Sequence, residues 1–278
     1  MERTLAFLLI FAATSAGAAG TEVRFPGPGI ELVGRLYLPE VKPGERAPAI
    51  VLMHGCSGMW ARNGEPTRNH DAWAEHFRKH GFVALLVDSF GPRGQKEICT
   101  QKVRPVLPGR DRARDAYSAL AWLASRDDVD PKSVHVMGWS NGGSTVLNAV
   151  SATTPARKTT DARFRSAVAF YPGCAPLGRT AYVPSVPLLI QAGAADDWTP
   201  AKACEALAEA ARGRGADVQI DVYPGAHHAF DGTEGQVRLR PNVSNPASPT
   251  GWGATVGPNP EAREKAWRRT TEFLEAHR

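Results

Sequence analysis

The sequence contains few cysteines and, after its first twenty residues, no long hydrophobic run. No later segment reaches the ~20 consecutive apolar residues that a membrane-spanning helix needs, so we expect no stable membrane span. The four cysteines form no Cys-x-x-Cys pair, and they have no metal-ligand spacing to histidine. We therefore expect neither a metal nor another cofactor.

The charged residues give no indication of a polyanionic partner. The 278 residues carry a net charge of +5, with 42% apolar and 22% charged residues. This composition is that of an ordinary globular chain with one sizeable core or two small ones. The densest basic cluster, residues 108–123, interleaves Asp111 and Asp115 with arginines. Such mixing is typical of a solvated helix face, and we expect no binding of nucleic acid.

The N-terminus has the pattern of a secretory signal. Residues 5–20 form a short apolar run that ends in small residues with an Ala-Gly-Ala pattern. Such a run is too short to span a bilayer, although a membrane anchor is the alternative because Glu2 offsets the charge of Arg3. We predict a signal peptide over residues 1–20, a single mature domain over 21–278, and export to the periplasm or the medium.

The hydrophobic periodicity alternates between strands and helices along the chain. Continuous apolar runs at 47–55 and 81–90 are typical of strands buried on both faces of a parallel sheet. Between them, residues 70–81 form an amphipathic helical pattern that ends at a glycine. We therefore predict an α/β protein with a mostly parallel, doubly wound sheet, helices on both faces, and ligands at the carboxyl ends of the strands. The further predicted strands cover 31–39, 133–139, 166–173, 186–193 and 216–225, and the further helices cover 110–125, 141–152, 200–215 and 260–278.

Ser140 occurs in the sequence Gly138-Trp139-Ser140-Asn141-Gly142, between a predicted strand and a predicted helix. This is the context of a nucleophile elbow, a strained turn that exposes a serine hydroxyl at the edge of a sheet. The pentapeptide alone is weak evidence, and a polar residue in a glycine-rich bend is the alternative. A serine hydroxyl needs a base to remove its proton, so the interpretation requires a histidine and an orienting acid.

Both partners occur at predicted strand ends, in the order serine, acid, histidine that α/β-hydrolases use. Asp196 and Asp197 follow the penultimate predicted strand, and His227 and His228 follow the last one. Taken alone, the histidine pair is also compatible with surface polarity, and the aspartates with the N-cap of the next helix. The order predicts that an aspartate orients a histidine, which in turn deprotonates Ser140.

An oxyanion site is the fourth requirement of acyl transfer. The stretch HGCSG, residues 54–58, ends an early predicted strand and offers a backbone N–H there. The second donor would be the amide directly after the nucleophile, that of Asn141. A glycine turn with a structural histidine is the alternative for residues 54–58.

Residues 231–259 interrupt the alternation of strands and helices directly after the candidate histidines. The segment is rich in proline, glycine, asparagine and serine, and it has no hydrophobic period. Loops of this length inside compact domains are usually functional or disordered. The sequence leaves open whether this segment is a rim or lid of the site or a floppy surface loop.

These motifs together resemble the dienelactone hydrolase family of α/β-hydrolases over roughly residues 30–278. The stretches that carry the resemblance are HGCSG, DSFGPRG, GWSNGG, GAADDWTP, YPGAHHAF and AWRRTTEF. The resemblance implies the α/β-hydrolase fold, and of the two histidines it implies the one directly before Ala-Phe as the base. The positions that match the family's site are the nucleophile Ser140, the acid Asp196, the base His228, and the oxyanion amides of Cys56 and Asn141.

The chain departs from family members that hydrolyse dienelactone, which carry a cysteine in the elbow and a glutamate beside the oxyanion loop. Here the elbow contains Ser140, and the loop reads His-Gly-Cys. We therefore expect a serine hydrolase that cleaves small-molecule carboxylic esters or lactones through an acyl-enzyme, with dienelactone itself less favoured. The alternatives are a peptidase or acyltransferase with the same triad, and a non-catalytic binding protein of the same fold.

Other residues near the expected mouth of the site are candidates for substrate contacts. Arg93 follows a predicted strand end and is suited either to a substrate carboxylate or to a loop carbonyl or aspartate. Trp139, Trp198 and Trp60 suit an aromatic or apolar acyl group, with packing as the alternative. We predict substrate contacts for Arg93, Trp139 and Trp198.

An even number of cysteines in an exported chain permits two disulfides. In the strand order of an α/β-hydrolase, the strands before Cys56 and Cys99 are neighbours, and so are the strands before Cys174 and Cys204. This order favours Cys56–Cys99 and Cys174–Cys204, with four reduced thiols as the alternative.

Overall fold

The computed structural model describes residues 20–42 and 44–278. The predicted signal peptide, residues 1–20, lies outside this part of the chain apart from Gly20. The strands of the main sheet are β1 (Thr21–Pro26), β2 (Glu31–Tyr37), β3 (Ala47–Met53), β4 (Val83–Asp88), β5 (Val129–Trp139), β6 (Ala167–Phe170), β7 (Leu188–Gly193) and β8 (Val218–Tyr223).

These strands form one eight-stranded sheet in the order β1-β2-β4-β3-β5-β6-β7-β8. The strands from β4 to β8 in this order pair in parallel, whereas β1 and β2 pair antiparallel at one edge. Every residue of β4, β6 and β7 is buried, as the continuous apolar runs predict for strands covered on both faces. The predicted α/β class with a mostly parallel sheet is confirmed.

The helices cover both faces of the sheet. On one face, α2, α3 and α4 bury side chains such as Leu120, Leu147 and Leu207 against the strands. On the other face, α1 and α5 bury Trp73 and Phe273. This placement agrees with the predicted helices on both faces. Their bounds are α1 (Arg68–Lys79), α2 (Ala113–Ala124), α3 (Asn141–Ala149), α4 (Ala201–Arg212) and α5 (Pro260–Ala276).

Two parts of the fold differ from the prediction. The edge strand β1 is not predicted, because its residues are mostly exposed and carry little apolar alternation. The segment 231–259, read as irregular, contains an antiparallel pair of strands, β9 (Arg238–Ser244) and β10 (Trp252–Val256). These strands bury few side chains, so they lack the hydrophobic period that would reveal them.

The structure joins the two cysteine pairs that the strand order implies. Cys56–Cys99 has an S–S distance of 2.06 Å, and Cys174–Cys204 has one of 2.08 Å. The first pair follows the neighbouring strands β3 and β4, and Cys174 follows β6, next to β7. Within residues 20–42 and 44–278, no helix is long and apolar enough to cross a membrane.

Candidate active site

Ser140 lies at the junction of β5 and α3, at the carboxyl edge of the sheet. Its backbone has φ 53° and ψ −114°, a region that residues with side chains rarely adopt. The Ser140 N–H donates to the Phe170 carbonyl of β6 at 2.9 Å. Gly142 must lack a side chain, because a Cβ there would clash with the Met53 carbonyl of β3. The turn therefore has the strain and the close packing that a nucleophile elbow requires.

Ser140, His228 and Asp196 form a hydrogen-bonded row. Ser140 Oγ lies 2.8 Å from His228 Nε2, and His228 Nδ1 lies 2.8 Å from Asp196 Oδ2. These residues follow β5, β8 and β7, whose carboxyl ends meet at one edge of the sheet. Such a row can pass the hydroxyl proton to the imidazole while the carboxylate stabilises the resulting positive charge.

Asp196 is held as a carboxylate by several donors. Its Oδ1 accepts the backbone N–H groups of Trp198 and Thr199, both at 2.9 Å, while Oδ2 faces His228. Burial raises the pKa of Asp196, but the attraction of His228 and these hydrogen bonds outweigh burial and lower the pKa below its ordinary value. One carboxylate thus fixes the turn before α4 and orients the histidine.

Only one histidine of the pair reaches the serine. His227 turns away, with Nδ1 2.9 Å from the carbonyl oxygen of Ala195. The ring of His228 contacts those of Tyr171 and Trp198, at centroid distances of 4.6 and 4.7 Å. Aromatic contacts and the hydrogen bond to the carboxylate therefore fix the imidazole in one orientation.

The residues expected to supply oxyanion amides lie on either side of Ser140. Asn141 is the first residue of α3, so its N–H has no acceptor within the helix and lies at the positive end of the helix dipole. Cys56 follows β3 and lines a cavity together with Ser140. His54 is buried and fixes this turn, with Nδ1 2.7 Å from the carbonyl oxygen of Gly55. The structural role considered for this histidine agrees with its contacts.

A buried arginine connects the two segments that we expect to supply the oxyanion amides. Arg112 is fully buried and donates to the His54 carbonyl at 2.7 Å and to Asn141 Oδ1 at 2.6 Å. Its guanidinium lies over the ring of Phe90 at 4.9 Å. Burial lowers the pKa of Arg112 to about 9. The prediction of a solvated helix face over residues 108–123 is wrong at Arg112, because mixed charges in the sequence do not distinguish a buried arginine from an exposed one.

A buried carboxylate behind the row is a second feature that the sequence did not indicate. Asp231 is fully buried, and its Oδ2 accepts the indole N–H groups of Trp73 at 2.8 Å and Trp139 at 2.9 Å. Asn69 Nδ2 donates to the same oxygen at 3.0 Å, and the Tyr171 hydroxyl donates to Oδ1 at 2.6 Å. These partners lie on distant segments, so no local motif could reveal them. Asp231 ties the loop that carries the histidine to the sheet and to α1.

Arg93 stabilises a loop and does not face the site. Its guanidinium forms two hydrogen bonds of 2.8 Å with the carboxylate of Asp115 and one of 2.7 Å with the Ser89 carbonyl. Asp115 is fully buried, so this ion pair compensates a charge that lacks water. Of the two roles considered for Arg93, the contact with an aspartate is present, and its predicted substrate contact is corrected accordingly.

The tryptophans near the site differ in their environments. Trp139 is buried and donates its indole N–H to Asp231, so it mainly packs beneath the site. Trp198 lies at the site, where its indole N–H donates to the Ser244 carbonyl at 3.0 Å. Trp60 donates to Asp88 Oδ2 at 2.7 Å. A substrate contact stays a prediction for Trp139 and Trp198.

Two cavities meet at Ser140, and Trp198 also lines both of them. The larger cavity, of about 550 Å³, extends past Ser144 and Thr199. The smaller one, of about 240 Å³, contains His228 in its wall. Among the described residues, no group of three or more His, Cys, Asp or Glu side chains is suited to hold a metal ion.

The β9–β10 segment packs against the row of Ser140, His228 and Asp196. The N–H and the hydroxyl of Thr255 donate to the carboxylate of Asp197, both at 2.8 Å. The Gly257 N–H donates to the His228 carbonyl at 3.0 Å. Of the alternatives for this segment, the contacts favour an ordered rim over a floppy loop.

Comparison with known proteins shows the family of this chain. The model of the dienelactone hydrolase family matches residues 32–278. The chain belongs to this family. The quorum-quenching protein AidA of Acinetobacter baumannii (strain MDR-ZJ06) is 30% identical over 129 residues, which are 46% of this chain and 38% of AidA. A Yersinia pestis protein with the name "Putative carboxymethylenebutenolidase" is 24% identical over 248 residues, which are 83% of this chain and 84% of that protein.

Solved structures share the fold of this dienelactone hydrolase family member. Thermogutta terrifontis esterase 2 phosphorylated by paraoxon matches with a TM-score of 0.66 and 21% identity, over 93% of this chain and 94% of that one. A protein from Klebsiella pneumoniae subsp. pneumoniae MGH 78578 with the name "Putative Dienelactone Hydrolase" matches with a TM-score of 0.64 and 16% identity, over 92% of this chain and 98% of that one.

Proposed function

We propose that this protein, a carboxylic ester hydrolase by its family, cleaves small-molecule esters or lactones through an acyl-enzyme on Ser140. The observation that carries the proposal is the hydrogen-bonded row of Ser140, His228 and Asp196 at the carboxyl edge of the sheet. Asp196 orients the imidazole and stabilises its charged form. Lactones are cleaved by the same chemistry, since a lactone is a cyclic ester.

The proposed reaction has two steps. Ser140 Oγ attacks the carbonyl carbon as its proton passes to His228 Nε2, and the amides of Cys56 and Asn141 bind the oxyanion. The bond between the carbonyl carbon and the alcohol oxygen then breaks, and the leaving oxygen takes the proton from His228. In the second step, His228 accepts a proton from water, the hydroxide oxygen attacks the acyl carbon, and Ser140 leaves with the proton. The products are an acid and an alcohol, which remain one molecule when the substrate is a lactone.

The serine in the elbow supports general ester chemistry for this family member. A hydroxyl is almost fully protonated at neutral pH, so it depends on a neighbouring base more strongly than a thiol does. The row supplies that base at 2.8 Å, which is within the range for direct proton transfer. A related esterase of the same fold is phosphorylated by paraoxon, which makes organophosphorus compounds suitable probes.

A fluorophosphonate probe tests the assignment of the nucleophile. We expect the probe to modify the wild-type protein at Ser140, as located by peptide mass mapping, and to abolish ester hydrolysis. The variant Ser140→Ala should remain unmodified and inactive. Ser57→Ala is the matched control, because Ser57 lines the smaller cavity beside Ser140 and is exposed. Active protein that is modified at another residue would contradict the assignment.

We also propose that the protein is exported as a single domain over residues 21–278. Two disulfides and the apolar start of the chain support an oxidising destination such as the periplasm or the medium. N-terminal sequencing of the protein from the periplasmic or secreted fraction should give a start near residues 19–21. Recovery only from the cytoplasm, with the first residues intact, would contradict export.

A further inference from the structure

The two cavities at Ser140 differ in which catalytic groups they contain. His228 and Cys56 line only the smaller cavity of about 240 Å³. Asn141 and Thr199 line only the larger one of about 550 Å³. The division matters because an ester presents two different groups, its acyl part and its alcohol part, to the nucleophile.

The position of His228 determines where the alcohol part must lie. In the proposed reaction the leaving oxygen takes its proton from His228 Nε2, so it must come within about 3 Å of that atom. The oxyanion lies between the amides of Cys56 and Asn141, one from each cavity wall. The remaining substituent of the tetrahedral carbon, the acyl chain, is then directed away from His228.

The walls of the larger cavity suit an apolar acyl chain. The surface that lines it is mainly apolar, although Arg104 and Arg179 also border it, and an apolar lining favours burial of hydrocarbon. The smaller cavity is lined by large rings, including those of Tyr171 and Trp139, and the Tyr171 ring packs against His228. The apolar wall of the larger cavity includes Ala175, Pro176, Leu177, Ala203, Pro246 and Ala247.

We propose that the larger cavity binds the acyl group and the smaller one the alcohol, so that the preferred substrates are esters of bulky apolar acids with small alcohols. This inference rests on the proposed acyl-enzyme reaction. It names the substrate class within that reaction, which neither the family nor its motifs determine.

Two isomeric esters test the assignment. Ethyl hexanoate and hexyl acetate have the same composition and alkyl alcohols of similar leaving ability, but they place the long chain on opposite sides of the carbonyl. We expect kcat/KM to be at least tenfold higher for ethyl hexanoate, because each additional methylene in a fitting apolar pocket contributes several-fold.

Two variants, one in each cavity, should both reduce this preference, by changing kcat/KM for different esters. Ala247→Trp narrows the larger cavity at an exposed position, and it should lower kcat/KM for ethyl hexanoate at least fivefold while leaving hexyl acetate within twofold. Arg240→Ala widens the smaller cavity and should raise kcat/KM for hexyl acetate selectively. Circular dichroism confirms that each variant is folded before its kinetics are compared.

The fluorophosphonate probe separates failure of this inference from failure of the proposed function. If Ser140 reacts with the probe but the enzyme prefers hexyl acetate, hydrolyses both isomers equally, or hydrolyses neither, the cavity assignment is wrong and the acyl-enzyme proposal stands. If Ser140 does not react and neither ester is cleaved, the proposed function fails, and the assignment fails with it.

Discussion

Three buried charged side chains around Ser140 connect segments that are distant in sequence. Asp196 connects the turn before α4 to His228, Arg112 connects the end of β3 to the start of α3, and Asp231 connects the histidine loop to α1. A buried ion must keep all its hydrogen bonds, because water cannot replace a lost partner. Each of these contacts therefore resists displacement, which keeps the serine, the imidazole and the amides proposed to bind the oxyanion in one arrangement.

The lowered pKa of Asp196 predicts a pH-dependent contribution to stability. Its pKa lies below the ordinary value of 3.8, so the folded protein binds fewer protons at this residue than the unfolded chain does. The stabilisation is complete above the unfolded pKa and disappears as the pH falls through the folded pKa. The free energy of unfolding of the wild type relative to Asp196→Asn should therefore decrease as the pH falls from about 5 through 3.8. Urea unfolding across this range measures the difference, and a value that stays constant down to pH 3 would contradict the prediction.

Replacement of Arg112 should affect catalysis more than substrate binding. Arg112→Met removes the donors to the His54 carbonyl and to Asn141 Oδ1, which loosens both oxyanion segments. Loss of one oxyanion donor costs ~100–1,000-fold in kcat, and loss of its support should cost roughly 10–100-fold with little change in KM. Steady-state kinetics measure kcat and KM separately, and Arg114→Met, at an exposed position, is the matched control. A rise in KM at unchanged kcat would instead indicate a direct contact with substrate.

Arg93 should affect stability and leave the kinetics unchanged. Arg93→Ala leaves the fully buried Asp115 without its ion-pair partner. Breaking a buried pair costs ~3–5 kcal/mol, and we expect roughly 2–4 kcal/mol here because the Arg93 side chain is 18% exposed. Urea unfolding should show this loss, whereas the control Arg110→Ala, at an exposed pair, should change little. A higher KM for an anionic ester without any loss of stability would restore the substrate role.

The residues of the row could be predicted, whereas their buried supports could not. Ser140, Asp196 and His228 each follow a predicted strand, and the carboxyl ends of parallel strands meet at one edge. Arg112 and Asp231 meet partners that are tens of residues away, and nothing in their local sequence distinguishes a buried charge from a solvated one. The strand order predicts where Ser140, Asp196 and His228 lie, but only the three-dimensional packing shows which buried residues hold them in place.

At the scale of elements, the β9–β10 segment has structure without an apolar period. Its contacts are polar, such as those between Thr255 and Asp197, and also apolar, since Val243 and Ala254 pack in a cluster with Trp198. Its order therefore depends on partners outside the segment. The oxyanion loop also depends on a partner element, because the Ile98 N–H donates to the Cys56 carbonyl at 2.8 Å beside the disulfide to Cys99. The disulfide therefore supports an element of the site as well as the fold.

The two disulfides should differ in their effects on activity. Cys56→Ser/Cys99→Ser frees the loop that we propose supplies one oxyanion amide, and it should lower kcat about tenfold or more, because small misplacements of reacting groups are costly. Cys174→Ser/Cys204→Ser should leave kcat for 4-nitrophenyl acetate within twofold, since its short acyl group does not reach that wall of the larger cavity. Equal losses in both variants would indicate that the first disulfide has no specific effect on the site.

At the scale of the whole molecule, the sheet follows from the alternation of apolar runs and amphipathic helices. The runs predict strands buried on both faces, and the crossover helices then require parallel pairing. The strand order depends on tertiary packing, and we predicted it only from the family resemblance. That order places Cys56 near Cys99 and Cys174 near Cys204, so the cysteine pairing is a consequence of the topology.

Reduction should destabilise the whole fold strongly. The disulfides close loops with sequence separations of 43 and 30 residues. The loop-closure entropy of the unfolded chain then gives each disulfide a stabilisation of ~4 kcal/mol. This is a large part of the ~5–15 kcal/mol by which a typical domain is stable against unfolding. Equilibrium urea unfolding with and without dithiothreitol should therefore show a much lower midpoint for the reduced protein. A variant with all four cysteines replaced by serine should be insensitive to dithiothreitol and should unfold near the reduced midpoint. An unchanged midpoint on complete reduction would mean that the core alone stabilises the fold, and the need for an oxidising compartment would then lose its physical basis.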